Sequence, residues 1–160
     1  MKKLLPENYD ESEAPLADRI QAILAVAFFT VWVADSFWLN WTTNYSNYVP
    51  NVTRTAIFFS LILVGGYLSW MAHKQIFGIV RQEAELVDYG VFRLSRHPMY
   101  LGIMIIYLGL AIYTFSLASF LAVIVIFLFY NYLASYEEKK LVEYFGDEYT
   151  NYMKKTRRWF

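Results

Sequence analysis

Residues 98–136 read PMYLGIMIIYLGLAIYTFSLASFLAVIVIFLFYNYLASY, 39 residues without one charged side chain. At about 1.5 Å of rise per residue a single helix of this length would reach roughly 60 Å, twice the ~30 Å of a bilayer core. The run is too long for one ordinary span, and Thr114–Ser116 is the only plausible break in it. It divides into a helical hairpin, 98–114 and 117–136, that returns the chain to the face it left.

Outward from that hairpin the rest of the chain reads the same way. The chain has 160 residues, 58% of them hydrophobic and 20% aromatic, with charges confined to blocks between apolar runs. That length suits one domain, and the blockwise pattern predicts a single membrane domain over 1–160. Residues 20–41 and 55–77 are each long enough to cross a bilayer. Trp38 and Trp41 suit an interfacial aromatic anchor at the end of the first. Gly65 and Gly66 in the second would permit a close helix approach or a bend. Residues 1–18 carry two prolines and an acid excess, and read as a cytosolic arm, partly disordered. Residues 40–53 form a polar loop, and 78–97 a charged one with a turn signal at Asp88-Tyr89-Gly90. In the tail, 137–160, Leu141, Phe145, Tyr149 and Tyr152 recur at helical spacing, which predicts an amphipathic helix. The expected fold is thus all-α: an integral membrane bundle of about four transmembrane helices with an amphipathic C-terminal helix.

Basic residues orient the bundle. Lys2, Lys3 and Arg19 precede the first span, and Lys74, Arg81, Arg93 and Arg96 lie between the second and third. Six more follow the fourth, Arg54 alone lies between the first two, and the hairpin tip has none. The consistent solution is multi-pass, with both termini and the 78–97 loop in the cytosol. A net charge of zero gives no reason to expect a nucleic-acid partner. The absence of cysteine excludes disulfides, thiolate metal sites and a cysteine nucleophile.

The hairpin also decides where chemistry could occur. Arg96, His97 and Tyr100 begin its first arm, and Glu137 and Glu138 follow its second, so all five come to one membrane boundary. Arg96 and Tyr100, four apart, share a helix face. A zwitterionic ligand could be held there, its carboxylate by arginine and its cation by glutamate. The same residues have plainer readings. Pro98 suits the first turn of a helix, Arg93 and Arg96 can snorkel to headgroups, and Glu137–Lys140 can be a solvated helix segment. Asp35, the one charge inside the first span, lies near its outer end, where water can solvate it. His73 and His97 end neighbouring spans and leave a bis-histidine haem open geometrically. No set of residues suits another metal.

Two stretches together carry a resemblance. LVDYGVFRLSRHPMYLG (86–102) resembles the entry motif of the isoprenylcysteine carboxyl methyltransferase and phospholipid methyltransferase superfamily, with its Arg-His-Pro-x-Tyr-x-Gly core. EEKKLVEYFGDEYTNYMKKTRRWF (137–160) resembles that superfamily's tail. The resemblance implies a membrane methyltransferase using S-adenosylmethionine, acting on a lipidic or small hydrophobic acceptor such as a prenylcysteine carboxylate or a phospholipid amine, among membrane lipids. It implies cofactor-binding roles for Gly90, His97, Tyr100, Gly102, Glu138 and Leu141, and places Arg96 and Glu137 at the acceptor, the order of the two glutamates staying open. Members often carry a proline soon after the basic-aromatic tail, and this sequence ends at Trp159-Phe160. Membrane sterol reductases, which use NADPH, end in a related pattern, but the Glu-Glu-x-x-Leu and Phe-Gly here favour the methyltransferases. A non-enzymatic membrane module, with or without haem, is the remaining alternative.

Overall fold

The computed structural model describes residues 16–43, 47–77 and 86–160. Most of the N-terminal arm and residues 78–85 of the charged loop lie outside them. Among the described residues every regular element is helical. Helix α1 is Ala17–Val33 and continues as a π-helical stretch, Ala34–Leu39. Helix α2 is Asn51–Phe77, α3 is Pro98–Thr114 and α4 is Leu117–Phe145. A short 3-10 turn, Gly90–Arg93, precedes α3, and α5 is Asp147–Lys155. Among the described residues three helices are long and apolar enough to cross a membrane, over Ala17–Leu39, Asn51–Ile76 and Leu117–Phe145. Helix α3 is apolar but shorter, at 17 residues, or about 26 Å.

The two-residue hairpin loop explains how α3 and α4 lie side by side. Phe115 takes a left-handed conformation, φ 53°, which reverses the chain at once. Ser116 then caps α4, its hydroxyl accepting from the Ser119 amide at 3.0 Å. Such a cap satisfies one of the amides that a helix start leaves without a partner.

Helix α2 packs on α3 through small residues. A Cβ at Gly65 would stand 2.5 Å from the Gly102 carbonyl, and one at Gly102 would meet Ser69 Oγ and the Gly65 carbonyl. In lipid, where apolar surface gains little by leaving the tails, such backbone approach is a main source of helix association. Arg54, at the start of α2, donates to the Tyr113 carbonyl at 2.9 Å and so places a cation at the C-terminal end of α3.

Helix α1 covers α3 and α4 from the other side. Phe28 meets Tyr107 at 4.5 Å, centroid to centroid, with the rings tilted by 60°, and the Trp32 indole donates to the Leu110 carbonyl at 3.1 Å. Asp35 is not solvated at the interface, as its position suggested, but buried. Its carboxylate accepts from Ser116 Oγ at 2.6 Å, Thr42 Oγ1 at 2.5 Å and the Thr42 amide at 3.1 Å. It thereby joins the end of the first span to the start of the fourth.

The tail differs from one helix over 137–160. The fourth span does not stop at its last apolar residue; α4 runs on through Glu137 and Glu138 to Phe145. Gly146, at φ 61°, then breaks the helix, and α5 packs back with Tyr149 and Tyr152 buried. Residues 156–160 follow as an irregular strap. Two adjacent helices fit the spacing of Leu141, Phe145, Tyr149 and Tyr152 as well as one does, so the periodicity could not mark the break.

Candidate active site at the mouth of the hairpin

Ser95 and Arg96 fix the entry to α3. The Ser95 hydroxyl donates to the Arg158 carbonyl at 2.6 Å and accepts from the His97 amide at 3.1 Å. The Arg96 amide donates to the Arg157 carbonyl at 3.0 Å. Pro98 then starts α3, where its missing amide hydrogen costs nothing. His97 is held between the strap and α4 by backbone and side chain together.

Six charged or ionisable side chains meet here. Glu138 is at the centre, its side chain 5% exposed. Arg96 reaches it from Nε at 2.9 Å and from the second guanidinium arm at 2.8 Å. Arg158 reaches it at 3.1 and 2.6 Å, and His97 Nε2 lies 3.3 Å from Glu138 Oε1. Glu137 lies on the other side of the imidazole, 3.4 Å from Nδ1, and is 20% exposed. Its other oxygen accepts from the Tyr100 hydroxyl. The rings of His97 and Tyr100 are parallel, 5.7 Å apart.

The electrostatics follow from that layout. Two guanidiniums balance two carboxylates, and a protonated imidazole would add one further charge. Burial alone would pull the His97 imidazole down, but hydrogen bonds and charge from Glu137 and Glu138 outweigh it and hold the group above its ordinary range. Burial pushes the Tyr149 and Tyr152 phenols up. Tyr152 stays neutral and donates to the Phe92 carbonyl at 2.6 Å, tying α5 to the turn ahead of α3.

Arg96, His97, Tyr100, Glu137 and Glu138 are therefore in mutual contact. The glycines and Leu141 lie elsewhere. Gly102 faces α2, as described above. Gly90 opens the 3-10 turn at φ 62°, where a Cβ would run into the Gln75 side chain. Leu141, one turn beyond the glutamates, is half-buried against the core. Arg96 is heavily engaged: besides Glu138, it donates to the Thr156 carbonyl at 2.7 Å and the Met153 carbonyl at 3.3 Å. His73 lies exposed on α2, and both nitrogens of His97 face carboxylates, an arrangement that leaves no lone pair directed at a shared iron.

Arg158 is the participant that sequence reasoning missed. Its guanidinium also donates to Asn131 Oδ1 at 3.1 Å and Ser135 Oγ at 2.9 Å on α4. Its trace in the sequence is a basic pair, Arg157-Arg158, inside the 137–160 stretch expected to form one amphipathic helix.

Fold and site together define a helical membrane protein with a charged, partly buried centre where a hairpin meets its own tail. The chain belongs to the phospholipid methyltransferase family, whose family model matches residues 51–148, more than half its length. Membership makes it a membrane methyltransferase. The match spans α2, α3 and α4, and leaves α1, most of α5 and the strap outside. No curated protein matches the chain.

Proposed function

We propose that the protein transfers a methyl group from S-adenosylmethionine to a lipidic acceptor at the cytosolic membrane boundary, and that the acceptor is an amine, as on a phospholipid headgroup. One observation carries this reading: Arg96, His97, Tyr100, Glu137 and Glu138 converge where α3 begins and the apolar part of α4 ends. The excess of lysine and arginine on that side supports a cytosolic site. The donor set suits the cofactor, whose amino-acid end is zwitterionic: His97 matches its carboxylate, and Glu138 its ammonium. When bound, the cofactor supplies an electrophilic methyl carbon on a sulfonium. Methyl transfer then needs positioning more than covalent help.

The two carboxylates differ in what they have left to offer. Both oxygens of Glu138 already face guanidiniums. Glu137 is the more open, and among the described residues its partners are the neutral or proton-sharing groups Tyr100 and His97. An amine must lose a proton to attack, and Glu137, the more open carboxylate, would take it. His97 then bridges Glu137 to Glu138 and can carry the proton inward or hold it. A carboxylate acceptor would need a guanidinium with free donors, and both arginines are committed to Glu138 and to protein hydrogen bonds. The test is purified protein in vesicles with radiolabelled S-adenosylmethionine, offered either phosphatidylethanolamine or a prenylcysteine. Label in the amine lipid supports the reading. Label in the prenylcysteine alone overturns the amine assignment, and label in neither overturns the acceptor class. Calorimetric titration with S-adenosylmethionine and with NADPH tests the cofactor, and heat from NADPH alone would point to a reductase.

A further inference from the structure

We infer that Arg158 is a further positioning residue of the methyl-transfer site proposed above, holding the Glu138 carboxylate against His97 from the strap. This rests on that reading for its chemical purpose, though not for its geometry. Arg158 lies beyond the residues matched by the family model.

Three observations support it. First, the grip is forked: Nε and one terminal nitrogen address the two oxygens of Glu138 separately, at 3.1 and 2.6 Å. A fork of this kind fixes the plane of a carboxylate as well as its position. Second, the guanidinium is itself anchored. Its other terminal nitrogen donates to Asn131 and Ser135, two and one helical turns before Glu138 on the same face of α4. The Trp159 indole donates to Asn131 as well, at 3.3 Å. Third, the strap carrying Arg158 is held from the entry to α3, by Ser95 and by the Arg96 amide and guanidinium. Arg158 therefore joins the two arms of the hairpin through the tail, and Glu138 takes its orientation from both.

The consequence falls on His97. Glu138 Oε1, the oxygen near His97 Nε2, is also the one that Arg158 Nε and Arg96 address. With the fork lost, the carboxylate is free to rotate toward Arg96 and away from the ring. The imidazole would then keep only Glu137 as a close partner. Among the described residues the other titratable groups around this centre are Arg96 ahead of α3, Tyr100 on α3, and Tyr149 and Tyr152 on α5; Tyr149 also feels the Arg158 charge, which Arg158→Lys retains.

Arg158→Lys separates this role from simple charge balance, because an ammonium keeps the charge and loses the planar fork. The full-length protein carries two histidines, so a His73→Gln background leaves one imidazole to follow by NMR. In that background R158K should move the His97 titration down in pH, and kcat/KM for methyl transfer should fall roughly ten- to a hundredfold, the size of a lost hydrogen bond to a charged group. Asn131→Ala, which loosens the anchor and leaves the charged groups intact, should move the titration the same way by less. A His97 titration unmoved in both variants overturns the inference, and an unmoved N131A does so alone if R158K does not fold. Lack of methyl transfer by the unaltered protein would count against the proposed function and leave the titration result to judge Arg158.

Discussion

Replacing Glu138 by glutamine keeps the shape of the side chain and removes its charge. In the folded protein the carboxylate faces Arg96, Arg158 and His97, and its side chain is 5% exposed. Water therefore cannot take over for it. Removing one partner from a buried charged group costs about 3–5 kcal/mol, mostly because the opposite charges stay buried without compensation. Arg158 can relieve part of that, since its side chain is 27% exposed, so the lower end, about 3 kcal/mol, is the better figure. For a chain of this length that corresponds to a fall of roughly 6–12 °C in melting temperature. Glu137→Gln is the matched comparison. Glu137 is more open and loses one neutral hydrogen bond and one imidazole contact, so about 1 kcal/mol is expected. Thermal unfolding in detergent, followed by helical circular dichroism, measures both, with methyl transfer assayed in parallel. E138Q should lose fold stability and activity together, whereas E137Q should lose activity with little change in melting. Equal melting temperatures for the two variants would refute the reasoning, because they would mean that Glu138 is not the electrostatic centre of the tail.

Two further outcomes follow from the same geometry. Because the folded His97 imidazole holds its proton above the ordinary range, its contribution to stability is complete below its unfolded value of about 6.5 and is lost as pH rises through the higher folded value. Melting temperature should fall over that window in the unaltered protein and stay flat in His97→Gln. Gly102→Ala should destabilise the bundle by about 1–3 kcal/mol, since its Cβ would press on the Gly65 carbonyl and Ser69. Gly66→Ala, with nothing within 4 Å of the added carbon, should be neutral or stabilising by up to ~1 kcal/mol, and unfolding midpoints compare the two directly.

Much of the architecture is written in the length of apolar runs. The 39-residue run cannot cross once, and a hairpin that returns to its starting face must bring Arg96, His97 and Tyr100 to Glu137 and Glu138. That argument needs only helix rise and a turn at Thr114–Ser116. What it misses is of another kind. The strap is held largely by backbone carbonyls of Thr156, Arg157 and Arg158, and every residue has a carbonyl, so no residue pattern announces such contacts. The break at Gly146 was hidden because the buried positions keep helical spacing across it. Asp35 was misjudged because its partners, Thr42 and Ser116, lie on other segments, and a lone acid near a helix end ordinarily meets water. Gly102 carries a motif-derived role, yet its immediate neighbours are on α2. A conserved-looking spacing and a packing requirement leave the same letter in the sequence.

The bond between Asp35 and Ser116 spans 81 positions of chain. At the usual pace of protein synthesis, about 5–20 residues per second, some 4–16 s pass between the appearance of the acid and that of its distant partner. Through that interval the first span must already sit in the bilayer with its carboxylate only locally satisfied. An acid in the middle of the span would spend those seconds in hydrocarbon. One placed in the last turns can wait at the membrane surface, hydrated, and be drawn under cover when α4 arrives. The location of Asp35 thus suits the order in which the protein is made, since Thr42 can partner the acid at once and Ser116 only when α4 arrives.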